Sequence, residues 1–148
     1  MRQIYILSGL PASGKSTTAK ELGGYNICPD YIRGQLTGDE GDQSQNDKVW
    51  AIAYGKLKRT LADPKYGRIV FDATNLVASD RHRLLKTIKN SGAEIETILV
   101  FHDVPLEVAI ERNSKRSRVV PEYRIREMYA EMRLPTESEG FDKIIWKR

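Results

Sequence analysis

The run Gly9-Leu10-Pro11-Ala12-Ser13-Gly14-Lys15-Ser16-Thr17 has the spacing G-x-x-x-x-G-K-S, which suits a polyphosphate. Gly9 and Gly14 permit backbone angles and close approaches that a Cβ blocks. The N–H groups of Ala12, Ser13, Gly14, Lys15, Ser16 and Thr17 can therefore turn inward around an anion. In this pattern Lys15 reaches the β- and γ-phosphates and the Ser16 hydroxyl ligates Mg²⁺. A glycine turn that binds nothing is the bland alternative. Against it, the apolar run Ile4-Tyr5-Ile6-Leu7 precedes the loop and the helix-forming Thr18-Ala19-Lys20-Glu21-Leu22 follows it. That is the order that phosphate binding at a helix N-terminus needs.

Three further groups bear on what a bound phosphate would do. Asp30 and Arg33, in Pro29-Asp30-Tyr31-Ile32-Arg33, lie three apart at the start of a helix and share a face. Asp30 can orient an acceptor hydroxyl and take its proton, and Arg33 can hold an anionic acceptor through its forked guanidinium. A surface acid at a helix start with a neighbouring arginine is the competing reading. Asp72 ends the apolar run Arg68-Ile69-Val70-Phe71 and is the natural acid for a metal shell, acting indirectly. Lastly, from Glu111 to Arg126 six basic residues stand against two acids. A solvated face would look the same. A hairpin of helices carrying Arg112 and Arg116, however, is well placed to close over a nucleotide and neutralise a transferring phosphoryl group.

These residues need a scaffold, and the remaining pattern supplies one. Strands are predicted over 3–7, 25–28, 68–72, 94–101 and 141–146. Helices are predicted from the glycine-rich loop to Gly23-Gly24, from Pro29, over 47–61, from a Ser79 cap to Asn90, from Pro105 under an Asp103 cap, and over 121–133. The polar stretch 37–47 reads as a loop. Alternation of this kind gives an α/β fold with a parallel sheet of about five strands flanked by helices. The loop, Asp30, Asp72 and Thr74 then gather at its carboxyl edge.

With 148 residues, a net charge of +4 and a pI near 9.2, the chain has room for one domain and permits a polyanionic partner without demanding one. The lone Cys28 excludes an internal disulfide and reads as a structural thiol. No secretory signal or membrane-spanning apolar run is present, so a cytoplasmic setting without membrane contact is expected. His82 and His102 lack metal-like companions and read as structural or surface residues.

The chain resembles the 5′-hydroxyl polynucleotide kinases, and among them the kinase domain of the bacteriophage polynucleotide kinase-phosphatases. The resemblance runs through the phosphate loop, Asn26-Ile27-x-x-Asp30-x-x-Arg33, Thr74-Asn75-Leu76, Asp103-Val104-Pro105, Arg112-Asn113-Ser114-Lys115-Arg116, Val120-Pro121, and Met128-Tyr129 with Met132-Arg133. It implies a P-loop NTPase fold with a helical arginine-rich lid over about residues 112–133, as such lids serve phosphoryl transfer. It also implies ATP or another nucleoside triphosphate as donor, with Mg²⁺, and the 5′-OH end of DNA or RNA as acceptor. Lys15, Asp30 and Arg116 would be catalytic, with Asp30 as general base. Arg112 and Arg116 would join the loop in holding donor phosphates, Arg33 would contact the acceptor's 3′-phosphate, and Thr74 and Val120 would line the acceptor channel. Ala73 stands where that family has an aspartate, the acid here being Asp72, and the stretch from Arg116 to Val120-Pro121 is one residue shorter. No acidic D-x-D phosphatase motif is present, so kinase activity alone is expected. Two other functions fit the same residues: a small-molecule kinase acting on sugars or antibiotics, and a non-catalytic nucleotide switch. Arg33 and the basic segment favour the nucleic-acid acceptor over the first, and Asp30 argues against the second.

Overall fold

The computed structural model describes all 148 residues. Strand β1 (Gln3–Ser8) forms the middle of the sheet, and Ile4, Ile6 and Leu7 have no solvent exposure there. A strand covered on both faces needs an apolar run instead of an alternating pattern, and the chain meets that need here and in β3 (Arg68–Asp72) and β4 (Glu96–His102). With β2 (Tyr25–Ile27) and β5 (Lys143–Lys147) at the edges, the order is β2-β3-β1-β4-β5 and every pairing is parallel. The crossovers run α1 (Lys15–Leu22), α2 (Pro29–Thr37), α3 (Asn46–Ala62), α4 (Ala78–Asn90), α5 (Leu106–Ser114) and α6 (Glu122–Glu131). Strand β1 lies between β3 and β4, with the chain leaving it first toward the β2 edge and later toward the β5 edge. Its carboxyl end is therefore a crevice where parallel sheets bind ligands.

Three apolar clusters hold these layers. The largest packs Val49, Ala53, Leu57 and Leu61 of α3 and Leu84, Leu85 and Ile88 of α4 on Ile4, Ile6, Ile69, Phe71 and Leu99. Trp50 stacks on Phe71 and Tyr54 packs tilted against it within the same layer, at 6.3 Å and 6.1 Å between ring centroids, and so both serve the core as their spacing implied. The opposite face is thinner, with Ala19 of α1 against Leu7, Val70, Ile98 and Val100. The third cluster joins Leu10 of the glycine-rich loop to Leu76, Ala109 of α5 and Ile125 of α6, so the loop and the α5–α6 hairpin share apolar contacts.

Local details depart from the sequence pattern. Helix α4 starts after Val77, whose backbone is extended, and Ser79 lies inside the helix instead of capping it. Asp103 does not cap α5; Pro105 precedes that helix without a side-chain cap, and Asp103 holds Arg148 at 3.4 Å. The last strand begins at Lys143, and the loop before α3 contains a short 3₁₀ turn, Gln43–Gln45, capped by Asp42 accepting from the Ser44 N–H. No helix is long and apolar enough to cross a membrane.

Candidate active site

The loop between β1 and α1 is shaped by contacts with the segment after β3 and with the end of β4. The Gly9 N–H donates to the Thr74 carbonyl (2.9 Å), and Asn75 Nδ2 donates to the Leu7 carbonyl (2.7 Å). Gly9 is required by space as well as by its φ of 149°: a Cβ there would fall 2.7 Å from Ser13 Oγ and 3.0 Å from the His102 Cβ. Gly14 enters α1 at φ 102°, a left-handed conformation that turns the following N–H groups along the helix axis. Ala12 also has a positive φ, 62°, which places part of the loop's strain on a residue with a side chain.

Ser13 Oγ is buried without a hydrogen-bond partner, the one such side-chain atom in the protein. A buried hydroxyl left unpaired costs free energy unless a ligand satisfies it, and this one sits inside the phosphate cradle. Lys15 Nζ donates to the carbonyls of Gly9 (2.9 Å) and Leu10 (2.7 Å) and forms no ion pair. Burial lowers its pKa to about 8, opposed by the attraction of Asp72 and Asp30 and reinforced by Arg116. The cradle thus presents a cation with no anion of its own. Ser16 and Thr17 are exposed on the first turn of α1. No cluster of three His, Cys, Asp or Glu side chains that could hold a metal ion is present. Asp72, at the end of β3 and level with Leu7, is buried, and burial raises its carboxyl pKa against the pull of Lys15. Cys28, between these groups at the start of α2, is pushed up to about 11 by burial and then by Asp72, so it stays a neutral thiol.

Across the crevice, Asp30 is held by two guanidinium groups. Arg33 Nη1 donates to Asp30 Oδ1 at 2.7 Å, and Arg118 Nη2 donates to Oδ2 at 3.1 Å. Arg33 is buried, 5% exposed, and also donates to Asn46 Oδ1 from Nε and to the Glu40 carbonyl from Nη1. It therefore fastens the 38–46 loop to α2 and positions Asp30. Arg116 is half-buried; burial lowers its pKa, followed by repulsion from Arg118, with Asp30 and Glu40 opposing. Lys15 is consequently within electrostatic reach of Asp72, Asp30 and Arg116. Arg112, in the last turn of α5, is exposed and outside this group, and Val120 packs against the third apolar cluster while Val119 is exposed. Thr74 touches the site through its carbonyl. Of the other basic residues, Arg124 and Arg126 pair with Glu127, Glu122 and Glu107 on the surface of the hairpin, the solvated arrangement that charge runs commonly adopt.

Two supporting residues have roles that the sequence alone did not assign. Asn113 donates from Nδ2 to the Val120 carbonyl (2.6 Å) and accepts the Val120 N–H (3.0 Å), stapling the loop that carries Arg116 and Arg118. His102 lies beneath the phosphate loop: its Nδ1–H donates to the Ser8 carbonyl at 3.2 Å, leaving Nε2 to accept from the Thr18 hydroxyl at 2.7 Å. Burial, more than the nearby Lys15 and Lys147, lowers its pKa to about 4. An unfolded imidazole protonates near 6.5, so between the two values the unfolded chain binds the extra proton. The contribution of His102 to stability is complete above about pH 6.5 and is expected to fall by about 2–3 kcal/mol as pH drops toward 4. Urea melts from pH 7 to 4 should show His102→Gln losing less over this window than the wild type; identical slopes would remove His102 from the balance.

A parallel sheet with a glycine-rich phosphate loop at its switch point, a basic helical hairpin beside it and an acid across the crevice has the fold of the P-loop kinases. Residues 4–135 match the family described as AAA domain, and the chain belongs to it. Adenylyl-sulfate kinase of Saccharomyces bayanus is 33% identical over 123 residues, covering 74% of this chain and 57% of that protein. A protein of Autographa californica nuclear polyhedrosis virus, provisionally named bifunctional polynucleotide kinase/RNA ligase, is 32% identical over 133 residues, covering 81% of this chain and 19% of its own length. The chain thus spans little more than half of the first of these relatives and a fifth of the second. A crystal structure titled fungal RNA kinase superposes with a TM-score of 0.75 at 15% identity, covering 99% of this chain and 74% of that one.

Proposed function

We propose that this P-loop kinase transfers the γ-phosphate of ATP, or of another nucleoside triphosphate, to the 5′-OH end of a polynucleotide. The observation that carries the proposal is Asp30, whose side chain is 51% exposed and held toward the crevice by Arg33 and Arg118. A carboxylate fixed between cations, within reach of Lys15, suits an acceptor that brings both a hydroxyl and a phosphate. The viral relative named polynucleotide kinase/RNA ligase supports the same reading.

In this reading the donor triphosphate lies in the cradle from Gly9 to Thr17, where it supplies the missing partner of Ser13 Oγ and an anion for Lys15 Nζ, which otherwise donates to carbonyls alone. Ser16 would hold Mg²⁺ together with the donor phosphates, with Asp72 acting on it indirectly; the ion neutralises charge on the phosphate oxygens. Asp30 accepts the proton of the 5′-hydroxyl as that oxygen bonds to the γ-phosphorus. The bond from the γ-phosphorus to the bridging β–γ oxygen breaks, and ADP leaves. Arg116 stabilises charge on the transferring group. Arg33, Thr74 and Val120 form the acceptor side, Arg33 through its hold on Asp30. With γ-labelled ATP and Mg²⁺, a 5′-OH oligonucleotide should acquire label and a 5′-phosphorylated one should not; equal labelling of both would contradict the proposal.

A second reading, a kinase for a small anionic acceptor, is favoured by the 33% identity to adenylyl-sulfate kinase. The two differ in what lies beyond the first phosphate of the acceptor.

A further inference from the structure

We infer that Arg118 is an acceptor-phosphate ligand that, in the empty site, is latched onto Asp30 and Glu40, so that an acceptor phosphate drawing it away also frees the base. The inference rests on the 5′-hydroxyl kinase reading and extends it to a further residue of the arginine-rich segment.

The geometry separates the two arginines beside Asp30. Arg33 has little freedom to meet a ligand: it is 5% exposed, and Nε and Nη1 are committed to Asn46, Asp30 and the Glu40 carbonyl. Arg118 is 32% exposed in its side chain and comes from a loop between α5 and α6, far from Asp30 in sequence. Its partners are both exposed carboxylates: Asp30 Oδ2 at 3.1 Å, and Glu40 Oε1, 3.6 Å from Nε. Ion pairs of this kind contribute about 0–1 kcal/mol, so a phosphate, with more charge and a bidentate match to the guanidinium, displaces them.

Two features make the latch specific. The Asn113 amide fixes the backbone of Val120 on both sides, so Arg118 swings from a short anchored loop. Glu40 reaches it because Gly34 leaves room on α2: a Cβ at Gly34 would fall 2.8 Å from Glu40 Cγ. While latched, Arg118 engages the one Asp30 oxygen that Arg33 leaves unbonded, so a hydroxyl approaching that oxygen competes with the guanidinium. Drawing Arg118 onto the acceptor's phosphate uncovers Oδ2, while Arg33 continues to hold Oδ1. Recognition of the acceptor and exposure of the base thereby become one event, in which no covalent bond changes.

The test compares a nucleoside 3′-phosphate with the same nucleoside lacking that phosphate, as acceptors for wild type, Arg118→Ala and Glu40→Gln, all checked for unchanged melting. The wild type should prefer the phosphorylated acceptor. In Arg118→Ala the ratio of the two kcat/KM values should fall about ten- to hundredfold, the worth of a charge-assisted hydrogen bond. Glu40→Gln, which weakens the competitor, should lower KM for the phosphorylated acceptor. A ratio in Arg118→Ala within about twofold of wild type overturns the inference even if both rates fall, since such small differences lie within context effects. A raised KM in Glu40→Gln also overturns it. If the wild type transfers phosphate to neither acceptor nor to any 5′-OH oligonucleotide, the kinase reading itself fails and takes the latch with it.

Discussion

Asp30→Asn should lower turnover on a 5′-OH oligonucleotide by about a hundred- to ten-thousand-fold, the range for removing a general base. The asparagine retains the shape of the side chain, and its carbonyl oxygen can still accept from Arg33 Nη1 as Asp30 Oδ1 does at 2.7 Å. The substitution therefore removes proton acceptance while leaving the 38–46 loop tied to α2 through Arg33. Affinity for ATP should change little, because Asp30 makes no hydrogen bond to the Gly9–Thr17 loop. Single-turnover rates and equilibrium ATP binding, measured on the same preparation, separate the two quantities. Retention of more than about a tenth of the wild-type rate would remove Asp30 from proton transfer.

The largest effect on stability is expected at Arg81. This side chain has no solvent exposure, yet it carries a full charge, balanced by a two-pronged pair with Glu139: Nε to Oε1 at 2.7 Å and Nη2 to Oε2 at 3.1 Å. Its Nη1 donates to the Asn75 carbonyl (3.0 Å), which also accepts from Ser8 Oγ (2.8 Å). The pair thus links the segment before β5 to the residues that fasten the start of the phosphate loop. Breaking one partner of a buried pair leaves the other charge uncompensated and costs about 3–5 kcal/mol. Arg81→Ala adds a cavity beside Leu84, whereas Glu139→Gln retains the volume and should cost less. Urea denaturation of both variants gives the comparison. A loss below about 1 kcal/mol in Arg81→Ala would show the pair to be dispensable. If the link to the loop matters for binding, ATP affinity should fall in Glu139→Gln under conditions where it remains folded.

The parts of the site that depend on local pattern were legible in the sequence. A glycine-lysine-serine spacing after an apolar run fixes the strand, the loop and the helix together, and the three-residue step from Asp30 to Arg33 brings the two side chains into contact, as helical geometry requires. The positions of the buried strands followed from their apolar runs for the same reason. Tertiary contacts were not legible. Nothing in the pattern around Arg33 distinguishes the exposed side of α2 from the side covered by the 38–46 loop, so its burial emerges only in the fold. A charged residue in the amphipathic α4 reads as surface, yet Arg81 is buried because Glu139, 58 residues later, returns to meet it. The arginine-rich segment looks uniform in sequence, but the structure divides it. Arg112 faces solvent, Arg116 lies near the phosphate cradle, Arg118 reaches Asp30, and Arg124 and Arg126 pair on the surface. His102 gave one faint sign, a polar side chain ending an apolar strand beside the switch point, and its companions Ser8 and Thr18 become visible only when β1, β4 and α1 are packed.

One measurement addresses the acceptor directly: kcat/KM for a 5′-OH oligonucleotide and for adenylyl sulfate, determined side by side with saturating ATP and Mg²⁺. Asp30 between the two cations Arg33 and Arg118 at the crevice predicts transfer to the oligonucleotide's 5′ end with the higher kcat/KM. Efficient phosphorylation of adenylyl sulfate, with no label reaching the oligonucleotide, would contradict the account.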